Sequence, residues 1–446
     1  MAGFGTALPS RGVPAFAWVV IGGGVIVSIL AVGASTPDVQ MFLALSAIIT
    51  ALGALVIPRV VRRDGTLSAS FLGAALGAHV IGALLRFTII QAVYGGVADA
   101  NGYFSSGVQL APLFRSLQIP PFPRSGTPFI DWFSGLLFAV ITPTMLGGFV
   151  VCAALGFIGC WYFYKAFRLG FPEGDHRLVA KLIFFLPSMW YWPSSLGKDG
   201  LIVCFMGIAT YGFTCVLRSR YGIGLLSVAF GLLGVVMIRP PMAAALAIAG
   251  VGAFLLRPAR ARSVQAQAVT LFVLGPILLV VAGLTVQSSL TYMHNQDPIA
   301  AFETQASQDF SARGGTSNYS VVSPFTPRGF LLAVVTVNFR PLPGEAGGVL
   351  PTLASLEGAV LIFLLWRRRR EIGFGLRHWR ANGMVLFAAL SWLAMSLILS
   401  SLGNFGLLAR QRTQVLPYLF MLICMVTPEA RTAARRSGSL SPPQTL

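Results

Sequence analysis

Charge is what this chain has least of, and negative charge least of all. Only 10% of its 446 residues are charged, 14 acidic against 32 basic, where a soluble domain carries about a quarter. That scarcity excludes a solvated globular surface. The excess of +18 does not indicate nucleic acid, because no stretch is long and polar enough to fold into a basic soluble module. Cysteine is also sparse. Cys152, Cys160, Cys204, Cys215 and Cys424 all lie in apolar runs and none has metal-ligand spacing, so neither a disulfide framework nor a zinc site is expected. No metal or cofactor is expected at all.

What is present instead is hydrophobic sequence, 55% of the residues. Apolar runs of about 20 residues, enough to cross a hydrocarbon layer of about 30 Å, recur along the chain. The expected spans are 13–34, 38–58, 68–94, 142–166, 178–196, 200–217, 222–238, 242–256, 266–287, 350–366, 382–402 and 413–427. The fold class is therefore all-α, a polytopic transmembrane bundle of about twelve helices forming a single integral membrane domain over 1–446. The first run is read as an uncleaved helix rather than a signal peptide, because it is long and another span follows at once. Glycine spacings of the Gly-x-x-x-Gly type suit close helix packing.

With the N-terminus in the cytoplasm, the basic groups at 59–63, 165–177, 218–220, 257–262, 367–380 and 431–436 all fall on the cytoplasmic side, as the positive-inside rule requires. The segment 428–446 becomes a cytoplasmic, unstructured tail. Two long loops, 95–141 and 288–349, face outward. Loops of that length are commonly functional, and these are expected to carry short interfacial helices, one of them in the apolar piece 329–339, which is too short to span.

Topology leaves several charges unexplained: Asp99 in ADANGY, Lys198 and Asp199 in WPSSLGKDG, Arg239 in IRPP, Arg340 and Glu345 in NFRPLPGEA, and Arg410 and Arg412 in ARQR. Charge at membrane depth is costly and tends to face a partner, a cavity or a charged ligand. Cations predominate in this set, and arginine suits phosphate oxygens. Each residue also has a plainer reading. Lys198 and Asp199 can be a snorkelling lysine and a helix cap, Arg239 a tight-turn residue before Pro240 and Pro241, and Asp99 a turn residue. In the sharper reading Asp99 is a general base for a sugar hydroxyl, Glu345 is the competing candidate, and Arg86 inside a span is functional. His294 reads as a solvated loop histidine.

The ADANGYFSSG, LPSMWYWPSSLGKDG, NFRPLPGEA and NFGLLARQR stretches together resemble O-antigen or oligosaccharide-repeat polymerases, and more broadly membrane glycosyltransferases that use polyprenyl-linked sugars. The resemblance covers roughly 85–427. It implies a site on the outer face of a bacterial cytoplasmic membrane, a polyprenyl (di)phosphate sugar donor, a glycan acceptor, contact with membrane lipid, and participation in an envelope-synthesis complex. It assigns phosphate binding to Arg340, Arg410 and Arg412 and the early acidic position to Asp99. Beside these, Lys198 and Arg239 are expected to join the phosphate set, Glu345 is the other catalytic candidate, and Asp199, Arg86 and Tyr103 are expected to be accessory. Ligases of this group rely on an outer-loop histidine, and His294 has no supporting motif, so polymerisation or single-sugar transfer is favoured over ligation. The alternative is a transporter or flippase of lipid-linked oligosaccharides.

Overall fold

A computed structural model describes residues 36–256, 321–345 and 349–437, with Tyr319 and positions 275, 279 and 283. The expected span 13–34, all of 266–287 but those three positions, and His294 lie outside the described residues.

Every described element is helical. In chain order they are α1 (Pro37–Asp64), α2 (Ala69–Ala92), α3 (Asp99–Arg115), α4 (Thr127–Val140), α5 (Met145–Gly170), α6 (His176–Phe185), α7 (Pro187–Tyr191), α8 (Lys198–Leu217), α9 (Tyr221–Ile238), α10 (Pro240–Leu255), α11 (Pro327–Phe339), α12 (Val349–Arg367), α13 (Arg369–Arg377), α14 (Gly383–Leu399), α15 (Phe405–Gln411), α16 (Leu416–Cys424) and α17 (Pro428–Ser437). Five of these helices, α1, α2, α5, α8 and α9, are long and apolar enough to cross a membrane by length and composition. The chain is a helical membrane protein. α4, α10, α11 and α14 are apolar but shorter, at 10–17 residues.

Local chemistry sets the helix starts. Ser68 caps α2 through Phe71 N–H at 3.1 Å, and Asp175 caps α6 through Leu178 N–H at 3.0 Å. Asn404 Oδ1 accepts from both Gly406 and Leu407 at the head of α15. The run 178–196, expected as one span, is two helices, because Pro187 cannot continue the ladder of α6 and instead starts α7. The loop 95–141 is largely α3 and α4. The first part of the expected tail, Pro428–Ser437, is also helical, and Arg431 there pairs with Glu371 at 3.3 Å.

α8 is the centre of the bundle. Of its most apolar window 83% is buried, against 6% for α1, so α1 turns outward and α8 is enclosed. α5 and α8 run parallel, because Gly200 of α8 lies against Cys152 while Gly207, one helical stretch further, lies against Gly159. A Cβ at Gly200 would stand 2.6 Å from the Cys152 carbonyl oxygen, so only glycine admits this approach of backbones.

The helices connect two chemically different ends. At one end Arg218 donates to Gly170 O at 2.7 Å, Asn382 to the same carbonyl at 2.8 Å, and Arg368 pairs with Asp175. The other end of α8 begins with Lys198 and Asp199, 20 residues earlier, about 30 Å along a helix.

Candidate functional site

At that second end, four chain segments bring charges together. α8 begins there. α9 and α10 meet there in a one-residue turn, Arg239, whose backbone (φ −148°, ψ 86°) is extended and is followed by Pro240 in the first turn of α10. Arg239 is therefore both a turn residue and a member of a charged cluster. α3 begins there with Asp99, and α15 ends there with Arg410 and Gln411.

Asp199 is the hub, 1% exposed. Its Oδ2 accepts from Arg410 Nε, and its Oδ1 lies 3.9 Å from Arg239 Nη2. Asp199 is in the first turn of α8 rather than at its cap, a position the helix dipole favours. Arg410 reaches Asp99 Oδ2 through Nη1 at 3.0 Å, and Arg239 donates to Gln411 Oε1 at 2.6 Å. Asp99, 57% exposed, marks the open side. Lys198 donates to Thr127 Oγ1 at 3.1 Å and joins no ion pair among the described residues. Tyr103 lies beside them. Burial, then the Asp99 charge, raises its hydroxyl pKa above the ordinary value. Gly197, the α8 cap residue, has φ +147° and gives no side-chain cap, and a Cβ there would come within 3.1 Å of the Tyr103 ring.

Arg340, Glu345 and Arg412 belong to an adjoining cell. Arg340 Nε bridges both oxygens of Glu345, at 3.0 and 2.9 Å, and Leu342 N–H donates to Glu345 at 2.7 Å. The guanidinium also covers the stacked Tyr319 and Phe405 rings, at 4.9 and 5.1 Å from their centroids. Arg412 is fully buried. It donates to Glu357 Oε2 and Ala354 O, both at 3.1 Å, and to Arg340 O at 3.4 Å, while Glu357 also binds Ser188 through its N–H at 2.6 Å and through its hydroxyl. Arg412 thus ties the Arg340 segment to α12. Arg86 stands apart, against Tyr191 and Trp192.

Four arginines, Arg239, Arg340, Arg410 and Arg412, pair with four carboxylates, Asp99, Asp199, Glu345 and Glu357, while Lys198 bonds Thr127. The cationic excess inferred from sequence is therefore largely cancelled. Glu357 escaped the sequence reading because it sits in the apolar run SLEGAV of α12, where nothing local announces a partner. Asp131, on the same face of α4 as Thr127 four residues before it, was missed as well. Its hydrogen bond from Ser106 and the nearby Lys198 charge oppose the burial that raises its pKa. Gln411, Thr127 and Tyr319 carry no signal beyond neighbouring a charged residue. Among the described residues no three His, Cys, Asp or Glu side chains gather as a metal-holding group.

No family model, curated protein or solved structure matches this chain.

Proposed function

We propose that this protein is a membrane glycosyltransferase, of the polysaccharide-polymerase kind, that moves a sugar from a polyprenyl (di)phosphate donor on the outer face of a bacterial cytoplasmic membrane. One observation carries the reading. Lys198, outside any ion pair among the described residues, stands at the uncapped start of the central helix, within electrostatic reach of Arg239, Arg410 and an exposed carboxylate, Asp99. An uncapped helix start with a lysine suits phosphate oxygens.

In this reading Lys198, Arg239 and the amide groups opening α8 hold the donor phosphate. The acceptor hydroxyl oxygen attacks the anomeric carbon, and the bond from that carbon to the phosphate oxygen breaks. The phosphate leaves with the electron pair, and the hydroxyl proton passes to Asp99. Arg410 shares its charge between Asp99 and Asp199 and so holds the base in place. Glu345 is engaged by Arg340 and Leu342 N–H, which supports an orienting role for it rather than that of base. Arg412, with no exposed surface, supports the loop rather than touching phosphate.

The test is sugar transfer from a synthetic polyprenyl-phosphate sugar by purified protein, together with analysis of lipid-linked sugars in a gene deletion. Asp99→Asn is expected to lower transfer by a factor of about 100 or more, the usual contribution of a general base, without changing thermal stability. Single repeat units should accumulate in the deletion. Undiminished transfer by Asp99→Asn would remove the base assignment, and sugars trapped on the inner leaflet of the deletion strain would favour a flippase.

A further inference from the structure

Arginine does not deprotonate in proteins, so a buried guanidinium needs a counter-charge. The arginines paired at low exposure in this fold follow the rule. Arg410 and Arg239 share Asp199, Arg412 has Glu357, Arg368 has Asp175, and Arg431 has Glu371. Arg86 does not. It is 7% exposed, inside the apolar helix α2, and joins no ion pair among the described residues.

What surrounds it is aromatic. Its guanidinium carbon lies 4.6 Å from the Trp192 ring centroid and 5.4 Å from that of Tyr191, and Nη1 reaches the Tyr191 hydroxyl only at 3.5 Å. Nε is buried without a hydrogen-bond partner. Two ring faces offset part of a desolvated cation's cost, but they leave its donors unfilled. Arg86, Tyr191 and Trp192 each keep a narrow strip of surface, 7–9%, whereas His79 two turns away on α2 has none. The guanidinium therefore lies just below the surface of the bundle.

We propose that Arg86, Tyr191 and Trp192 form a separate binding site for a phosphate group carried on a lipid. Six residues separate Arg86 from the end of α2 at Ala92, about 9 Å of helix. That depth disfavours a freely hydrated anion and suits one delivered by an acyl or prenyl tail. Leu84 and Leu85, exposed on the same helix, give such a tail an apolar surface. Tyr191 and Trp192 pack with Ala409, the residue before Arg410, so this phosphate lies next to the Asp199 cluster. The site stands whether or not glycosyl transfer occurs there.

Full-length protein in phosphatidylcholine nanodiscs provides the test, with three probes: undecaprenyl phosphate, phosphatidylglycerol and inorganic phosphate. Bound lipid is counted by native mass spectrometry and thermal stability is recorded with each probe. Wild-type protein is expected to bind a lipid phosphate saturably and to gain stability from it. Whichever lipid saturates first identifies the source, and saturation by inorganic phosphate alone would overturn the lipid assignment. Arg86→Met should weaken the binding of one lipid per protein at least tenfold and remove that lipid's share of the ligand-induced rise in melting temperature. Its own melting temperature without ligand should equal or exceed that of wild type, since a buried charge has been removed. A fall in that temperature with lipid binding intact would instead mark Arg86 as structural and overturn the proposal. Trp192→Phe, which keeps the packing, should weaken binding by a smaller factor; binding by both variants equal to wild type would also refute the site. Lys198→Gln should lose any undecaprenyl phosphate held at the donor site while keeping the binding that Arg86→Met removes, which separates failure here from failure of the donor site.

Discussion

Asp199 and Asp99 hold the same arginine, yet a substitution at each should have unequal consequences for stability. Asp199 is enclosed, and removing its charge leaves Arg410 and Arg239 buried without their shared counter-ion. Breaking such a pair costs about 3–5 kcal/mol. Asp99 is more than half exposed, and an exposed pair contributes about 0–1 kcal/mol. Asp199→Asn is thus expected to lower the melting temperature sharply and Asp99→Asn hardly at all, as thermal unfolding in nanodiscs would record. Equal losses would mean that water screens both pairs alike. Glu345 supplies a pH dependence. Partial burial raises its carboxyl pKa, but the Arg340 and Leu342 hydrogen bonds outweigh that and leave it below the ordinary value. A carboxyl lowered on folding contributes stability that is complete above the unfolded value, about 4.3, and is lost as pH falls through the lower folded value. The protection factor of the Leu342 amide, its exchange rate relative to the unfolded chain at the same pH, should therefore hold at neutral pH and fall only in acid below about pH 4.3, a step absent from Glu345→Gln. At this scale the sequence made individual charges visible, since ADANGY, GKDG, IRPP and ARQR stand out against apolar surroundings. It did not make their partners visible. That Glu357 answers Arg412, 55 residues away, follows only from where α12 and the end of α15 pack.

At the scale of elements, the long helices were legible because a hydrophobic run of membrane length has few other uses. α2, α5, α8 and α9 lie within a few residues of the expected 68–94, 142–166, 200–217 and 222–238. The expected 178–196 was not legible as two pieces, because hydropathy ignores the missing N–H of Pro187. Which helices touch was legible only as glycine spacing, and the structure makes that pairing specific. α5 and α8 meet through Gly159 and Gly207, where a side chain on either would run into the backbone of the other helix. Gly207→Val is expected to destabilise by about 1–3 kcal/mol or more, the usual cost of forcing extra methyl groups into a packed interior. Gly73, whose Cβ would meet nothing within 4 Å, is the control: Gly73→Ala should leave stability the same or slightly higher, since alanine favours helix. Because Asp199 rides on α8, separating α5 from α8 should also reduce activity while leaving the exposed Asp99 chemically intact.

At the scale of the whole molecule, its two ends carry opposite implications. One end gathers Arg218, Arg368 and the amphipathic helix α13 with Arg369 and Arg377, and the other holds the paired cluster around Asp199. A surplus of arginine and lysine beside spanning helices belongs to the cytoplasmic face, which would put the Asp199 cluster outside, the side that the proposed reaction requires. The protein offers a clean way to check this, because Cys152, Cys160, Cys204, Cys215 and Cys424 are all buried and should give little background with a thiol reagent. Arg124→Cys places an exposed thiol between α3 and α4 at the cluster end, and Arg377→Cys places one at the basic end. In intact cells a membrane-impermeant maleimide is expected to label the first and spare the second, and permeabilisation should make both reactive. The reverse pattern would turn the Asp199 cluster toward the cytosol. Lys198 and Asp99 would then face nucleotide-linked rather than lipid-translocated sugars, and the proposed donor would have to be abandoned even though every ion pair described above remained in place.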